Sequence, residues 1–268
     1  MIAINSCLAA DDRDLAVSRF SRLTPDIEVA TQRCMRSPLV CFPFAGAGAS
    51  FFRPWSTRLA GEFDVIPVQL PGREKRIGEA PHTNVAAAIS EVLPELSQRL
   101  GSRGDVVVFG HSLGAVLAYE LARRASREGG FQVKRLVVSG SPAPLQQRDR
   151  RATGLSDDQF LQQVSDLAGY SHPVLEDPEM RELLLPVLRA DVEMHEGYVP
   201  GRLDVLAASI TCLRGRDDAL VSLADSARWQ EVTGQPLDLV EVAGGHMYLV
   251  DEPARVFEVL HSARAVAA

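Results

Sequence analysis

At 268 residues, 46% hydrophobic and 24% charged, the chain has room and apolar material for one large α/β domain or two small ones. A net charge of −7 argues against a general nucleic-acid or anionic-membrane binder, whose affinity rests on clustered Lys and Arg, though it leaves room for a local basic patch. No uninterrupted apolar run approaches the roughly 20 residues of a membrane span, and Cys7, Cys34, Cys41 and Cys212 show no CxxC spacing that would indicate a zinc site or disulfide framework.

Residues 1–36 are weakly patterned and read as an N-terminal extension. Their opening, MIAINSCLAADDRDLAVSRF, lacks the basic start and long apolar core of a secretory signal, so a cytoplasmic location is expected. From Pro38 the pattern becomes regular. Short apolar runs fall at 39–42, 64–70, 105–110, 134–140, 209–215 and 237–244, and helix-like stretches at 85–100, 115–126 and 224–232 lie between them. Strands alternating with helices predict a mostly parallel sheet covered on both faces. Cys41 and Cys212 sit inside such runs and are expected to be buried thiols.

The alternation breaks once. No strand is predicted between Ser141 and Ala208. Ser156 and Gln159 instead have capping-box spacing ahead of FLQQVSDL. Asp177-Pro178-Glu179 opens a second helix, MRELLLPVLRADVEMHEGY, with a kink expected at Pro186. An insertion of this length is too long for an ordinary connection. It predicts a helical lid over about 145–205, set in a domain spanning 37–268.

Between the third apolar run and the helix after it stands Gly110-His111-Ser112-Leu113-Gly114. Gly-x-Ser-x-Gly between a strand and a helix is the nucleophile elbow of an α/β-hydrolase fold. Lifting the serine hydroxyl off a sheet needs a strained turn, and strand and helix then approach so closely that only glycine fits two residues either side. The N–H of Leu113, at the helix start, would point at a developing oxyanion.

A serine nucleophile needs a base, itself oriented by an acid, and this architecture places them later in the chain in the order acid, then histidine. His82 comes too early. His111 faces the wrong way along the elbow. His172 and His195 fall in the lid, as surface or chamber lining, and His261 lies in the C-terminal helix. His246, in a glycine-bearing turn after a predicted strand, is the expected base. The run SITCLRG is followed by Arg216, Asp217 and Asp218; the Gly-x-x-Asp spacing common in related hydrolases selects Asp218 over Asp217. A second oxyanion donor is expected from the loop Pro43-Phe44-Ala45-Gly46-Ala47-Gly48, as the N–H of Phe44 or, failing that, of Ala45. That loop lacks the lysine and glycine spacing of a phosphate-binding loop.

Five segments, FPFAGAGASFFRPW, VQLPGREKR, VFGHSLGAVLAYELARR, DPEMRELLLPVLRAD and VAGGHMYL, resemble the type II thioesterases of polyketide and non-ribosomal peptide assembly lines. The likeness covers about residues 38–260 in order and spacing. The chain departs at Phe44, where His or Tyr is frequent, and at Ala47, where Gly is. The resemblance implies a serine thioesterase that hydrolyses acyl groups from the phosphopantetheine arms of acyl or peptidyl carrier proteins and so removes aberrant or stalled units. The substrate would carry the phosphopantetheine, and no metal or other cofactor is implied. Composition and spacing alone reach a serine hydrolase of acyl esters or thioesters, which leaves a chain-releasing thioesterase or a general carboxylesterase as alternatives. A catalytically dead hydrolase fold used for binding is a third.

Acids dominate residues 156–196, whereas arginines gather at Arg123, Arg124 and Arg127 and again at Arg148, Arg150 and Arg151. Carrier proteins of this kind are acidic, which makes Arg148, Arg150 and Arg151, leading into the lid, the expected docking residues.

Overall fold

The computed structural model describes residues 36–145, 151–168, 173–201 and 204–265; the expected N-terminal extension lies outside them but for Arg36. The six apolar runs become six strands, β1 (Ser37–Phe42), β2 (Phe63–Pro67), β3 (Val106–His111), β4 (Val133–Ser139), β5 (Ser209–Gly215) and β6 (Asp238–Val242). They form one sheet in the order β2-β1-β3-β4-β5-β6. Every pairing is parallel, including those of the edge strands. β1 and β3 are buried at every position, as their unbroken apolar runs require of strands covered on both faces.

The strand period of two divides these side chains between two cores. Val40, Phe42, Val106, Val108, Leu136, Val138, Ile210 and Cys212 face α2 (Val85–Leu100) and α3 (Leu113–Glu128). Leu39, Cys41, Val107, Phe109, Val137 and Leu213 face Trp55 of α1 (Arg53–Arg58) and Val256 and Leu260 of the C-terminal helix. Each fully buried Val, Leu or Phe contributes roughly 1.5–3 kcal/mol, so both layers are held chiefly by burial. Cys41 and Cys212 are buried as expected, and burial pushes the Cys212 thiol up to about 12. Cys7 and Cys34 lie outside the described residues.

Two predicted elements differ in extent. The run 64–70 leaves the sheet after Pro67, and the single helix expected at 224–232 is divided into a short α-helix, Leu223–Ala227, and a 3-10 turn, Arg228–Val232. Ser222 and Asp225 form a capping box that starts the first piece. The tighter winding of the second buries Trp229, whose indole Nε1 donates to the Ser141 carbonyl at 2.9 Å.

Among the described residues between β4 and β5 there is no strand. They hold α4 (Asp157–Ala168), a 3-10 turn (Pro173–Glu176) and α5 (Pro178–Glu196). Asp177 caps α5 by accepting from the N–H groups of Glu179 and Met180, and Pro178 occupies the first turn. At Ser156 only half of the expected box is present: the Gln159 side chain accepts from the Ser156 N–H and hydroxyl. α5 is continuous through Pro186. The carbonyl of Glu182, which proline leaves without its helical donor, lies on an exposed face where water can serve it. Ala152, Phe160, Leu185 and Leu188 make a small separate core, and the Arg189 guanidinium sits 4.4 Å from the centre of the Phe160 ring. Arg181 and Arg189 pair with Asp158 and Asp157, so the charges of these two helix arginines are met within the lid. Arg123 and Arg127 are likewise paired with Asp204, and Arg124 with Glu128. No helix among the described residues is long and apolar enough to cross a membrane.

Candidate active site

Ser112 stands at the carboxyl end of β3, between the strand and α3, with φ 53° and ψ −116°. A left-handed serine costs on the order of 1–3 kcal/mol and persists only where its surroundings hold it. Here they do. The Ser112 N–H donates to the Ser139 carbonyl at 2.8 Å, tying the corner to the end of β4. A Cβ on Gly110 would stand 1.9 Å from the Gly114 carbonyl oxygen, and one on Gly114 would stand 2.4 Å from the Phe42 carbonyl oxygen. The two glycines therefore let α3 turn back directly over β1 and β3. The residues of α3 from Leu113 to Ala122 are all buried, which fixes the helix start where the turn places it.

The neighbouring strand ends are brought together in the same manner. A Cβ on Gly215 would lie 2.4 Å from the Gly245 carbonyl oxygen, so the loops after β5 and β6 meet at backbone distance. Arg216 and Asp217 donate their N–H groups to the carbonyls of Val242 and Gly244. Asp218 then turns inward, with a fully buried side chain, while Asp217 is exposed. One Asp218 oxygen accepts from the N–H groups of Leu220 (2.8 Å) and Val221 (3.2 Å); the other meets His246 Nδ1 at 2.9 Å. Burial pushes the Asp218 carboxyl up, but the hydrogen bond and charge of His246 and the two backbone donors outweigh it and hold it below the usual carboxylate range. With Nδ1 engaged, the His246 Nε2 is the nitrogen left for chemistry.

Ser112 and His246 line one cleft with Phe44, Ala45, Leu220 and Met247, and the lid supplies Val164, Leu188, Val192, His195 and Glu196. Phe44 and Ala45 thus lie beside the serine, as expected of the loop after β1. Two amides of that loop are already committed. Ala47 donates to the Phe44 carbonyl at 3.0 Å and Gly46 donates to Asp191 at 2.8 Å; the amides of Phe44 and Ala45, the loop residues that line the cleft, are the candidate oxyanion donors.

Of the other histidines, His111 is fully buried behind the elbow, with Nδ1 2.8 Å from Ser139 Oγ and its ring centre 5.0 Å from that of His246. Ser139 Oγ in turn meets the buried hydroxyl of Tyr248. His82 pairs with Glu91 and His261 with Glu62, both away from the cleft. His195 lines the cleft; His172 lies outside the described residues. Arg148 and Arg150 do too, while Arg151 is exposed next to cleft-lining Ala152.

The apolar lid residues Leu183, Leu184, Val187 and Met194, whose helical spacing fits helix core as easily as a chamber wall, do not line this cleft. Met194 is packed in the α3-side core and Leu183 is half exposed, because α5 turns Leu188 and Val192 toward the serine instead. Asp191 escaped the sequence reading altogether. Its signal was present: an acid flanked by Val187, Leu188 and Met194 at spacings of four and three lies on a buried stripe.

A parallel sheet with Ser112, Asp218 and His246 at the carboxyl ends of β3, β5 and β6, roofed by a helical insertion, defines an α/β-hydrolase fold. The chain belongs to the thioesterase domain family, whose model matches residues 37–263. It is 34% identical over 234 residues to a probable cadicidin biosynthesis thioesterase of Streptomyces griseus, spanning 86% of this chain but only 64% of that protein. It is 33% identical to the gramicidin S biosynthesis protein GrsT of Aneurinibacillus migulanus, over 83% of this chain and 86% of the relative. Among solved structures, the type II thioesterase BorB from the borrelidin biosynthetic cluster matches with a TM-score of 0.77 at 34% identity, covering 85% of this chain and 92% of its own.

Proposed function

We propose that this chain is a type II thioesterase that frees carrier proteins of aberrant or stalled acyl groups in a polyketide or non-ribosomal peptide assembly line, working in the cytoplasm. The observation that carries the chemistry is the placement of Ser112 and His246 on one lidded cleft with Asp218 bonded to the far side of the imidazole. The family and the biosynthetic pathways of the relatives support the substrate class.

In this reading the acyl thioester enters with its carbonyl carbon against Ser112 Oγ. His246 Nε2 takes the hydroxyl proton as Oγ bonds to that carbon. The oxygen, now negative, is met by the N–H groups of Leu113 and of Phe44 or Ala45, which lie fixed before the reaction begins. Asp218 holds the ring with its proton on Nδ1 and stabilises the imidazolium, without taking the proton itself. Collapse breaks the carbon–sulfur bond, and the imidazolium gives its proton to the phosphopantetheine thiolate. Water then attacks the acyl-serine, His246 again holding and returning the proton, and a carboxylic acid leaves. The balance needs water alone. Arg148, Arg150 and Arg151 remain the proposed docking residues for an acidic carrier protein.

Intact-mass measurement of carrier proteins loaded with a panel of acyl groups tests the reading. Wild type should clear short or decarboxylated groups and Ser112→Ala should clear none. Release of a full-length chain alone would assign termination instead, and undiminished turnover by Ser112→Ala would remove the serine mechanism.

A further inference from the structure

The Gly46–Asp191 hydrogen bond belongs to a larger arrangement that the mechanism above does not use. Asp191, in the second half of α5, has no exposed side chain, and Arg73, in the loop after β2, is 5% exposed. They form a two-point pair, Nη1 and Nη2 each 2.7 Å from one carboxylate oxygen. The oxygen bound by Nη1 also accepts the Gly46 N–H, and Arg73 Nη1 also donates to the Ala47 carbonyl at 2.9 Å. Next along the chain, Glu74 holds φ 51° and accepts from the N–H and hydroxyl of Ser50. A Cβ on Gly48 would overlap the Glu74 carboxylate, at 2.2 Å. On the lid side, a Cβ on Gly46 would meet Leu188 Cδ1 at 3.2 Å, and Ala45 packs against the small lid core.

The loop from Phe44 to Ser50 is therefore held from beneath by Arg73 and Glu74 and from above by α5, through one carboxylate. A bare carboxylate bound at Gly46, one residue from the Ala45 amide and two from that of Phe44, would oppose an oxyanion developing against them. The fork of Arg73 neutralises that charge while leaving the Gly46 contact intact. An arrangement serving stability alone would not need the acid to reach the backbone of this particular loop.

We propose that Arg73 and Asp191 are positioning residues. They set the height of the Phe44 and Ala45 amides over Ser112 and register the lid helix to the same loop, so that the oxyanion site and the acyl chamber are aligned together. The inference rests on the oxyanion role proposed for that loop.

Asp191→Asn and Arg73→Lys test it. Turnover is measured on an acyl-pantetheine thioester, per serine titrated with a fluorophosphonate probe, beside inhibition by a trifluoromethyl ketone analogue of the same acyl chain. Loss of one oxyanion donor costs about 10²–10³ in kcat, so displacement of the loop by Asp191→Asn should lower kcat per titrated site by about 10- to 100-fold. KM should change less than about threefold, and the inhibitor constant should rise in step with the loss in kcat/KM. Arg73→Lys, which keeps the charge and loses the fork, should fall between that variant and wild type, and it carries the test alone if Asp191→Asn does not fold. A lowered Tm with kcat per titrated site and inhibitor constant unchanged would overturn the proposal and leave the pair a purely structural one. Retained turnover in Ser112→Ala would instead sink the underlying reading, whatever the pair variants do.

Discussion

Asp218→Asn is the sharpest test of how His246 is held. In the native site one carboxylate oxygen is committed to the N–H groups of Leu220 and Val221, and the other faces His246 Nδ1 at 2.9 Å. An amide placed there keeps its oxygen on the two backbone donors, because the reverse orientation would set NH₂ against two N–H groups. Its NH₂ then points at Nδ1. A neutral ring can accept that bond only by carrying its proton on Nε2, the nitrogen that receives the proton of Ser112 in the proposed mechanism. The wrong tautomer costs about 10⁴ in kcat where the same exchange has been made in another serine hydrolase, or about 5.5 kcal/mol of activation free energy. We expect a loss of about 10³–10⁴ here, read as thiol released from an acyl-pantetheine with Ser112→Ala as the floor. The same substitution has an acid-stability signature. A carboxyl whose folded pKa lies below its unfolded value of about 3.9 adds stability that is complete above that value and lost as pH falls through the folded pKa. Asp218 is such a group. The Tm of wild type should therefore exceed that of Asp218→Asn most at neutral pH, with the gap closing in acid. An activity within tenfold of wild type, or a larger loss in Asp217→Asn, would refute the argument.

Gly114→Ala should yield little folded protein, since its methyl would stand 2.4 Å from the Phe42 carbonyl oxygen, in backbone that cannot retreat without opening the sheet; soluble expression with a native circular dichroism spectrum would contradict this. Changing Arg148, Arg150 and Arg151 together to Ala should raise KM for an acyl-carrier protein several-fold and leave KM for the matching acyl-pantetheine unaltered. Equal KM values on the carrier substrate would end the docking idea. Val192→Phe should shift preference toward shorter acyl groups by filling the cleft wall beside Leu188, whereas Leu183→Phe, on a half-exposed position, should leave the acyl-chain profile unchanged.

These tests fall on residues that differed greatly in how legible they were. Ser112 was readable because its constraint is local: a β-branched run, two glycines and a helix former stand within a dozen residues, and the clash distances at Gly110 and Gly114 explain why no other residue serves. Asp218 and His246 were legible from their turns after the last two apolar runs and from the spacing to Gly215, and the adjoining ends of β5 and β6 bring their side chains to 2.9 Å. The six runs were legible because strands covered on both faces carry unbroken apolar sequence. The stretch 224–232 departs from one regular helix for the opposite reason, since Trp229 reaches for the Ser141 carbonyl, a partner 88 positions away that no periodicity reveals.

The lid shows where local reading stops. Its helices were visible from Asp177, Pro178 and the apolar spacing, yet only packing against α3 decides that Met194 goes to the core and Val192 to the cleft. The arrangement of Ser112, Asp218 and His246 is thus built on strand ends whose geometry the nearby sequence dictates, whereas the lid side of the cleft is built by long-range contact between α5 and the loop after β1. Asp191 lies 118 residues from Arg73 and 145 from Gly46. Substitutions that rotate α5 by one position would exchange the lining and leave the strand-end geometry in place. They would also carry Asp191 away from Gly46, which limits how far the cleft can be reshaped before the loop from Phe44 to Ser50 loses its support.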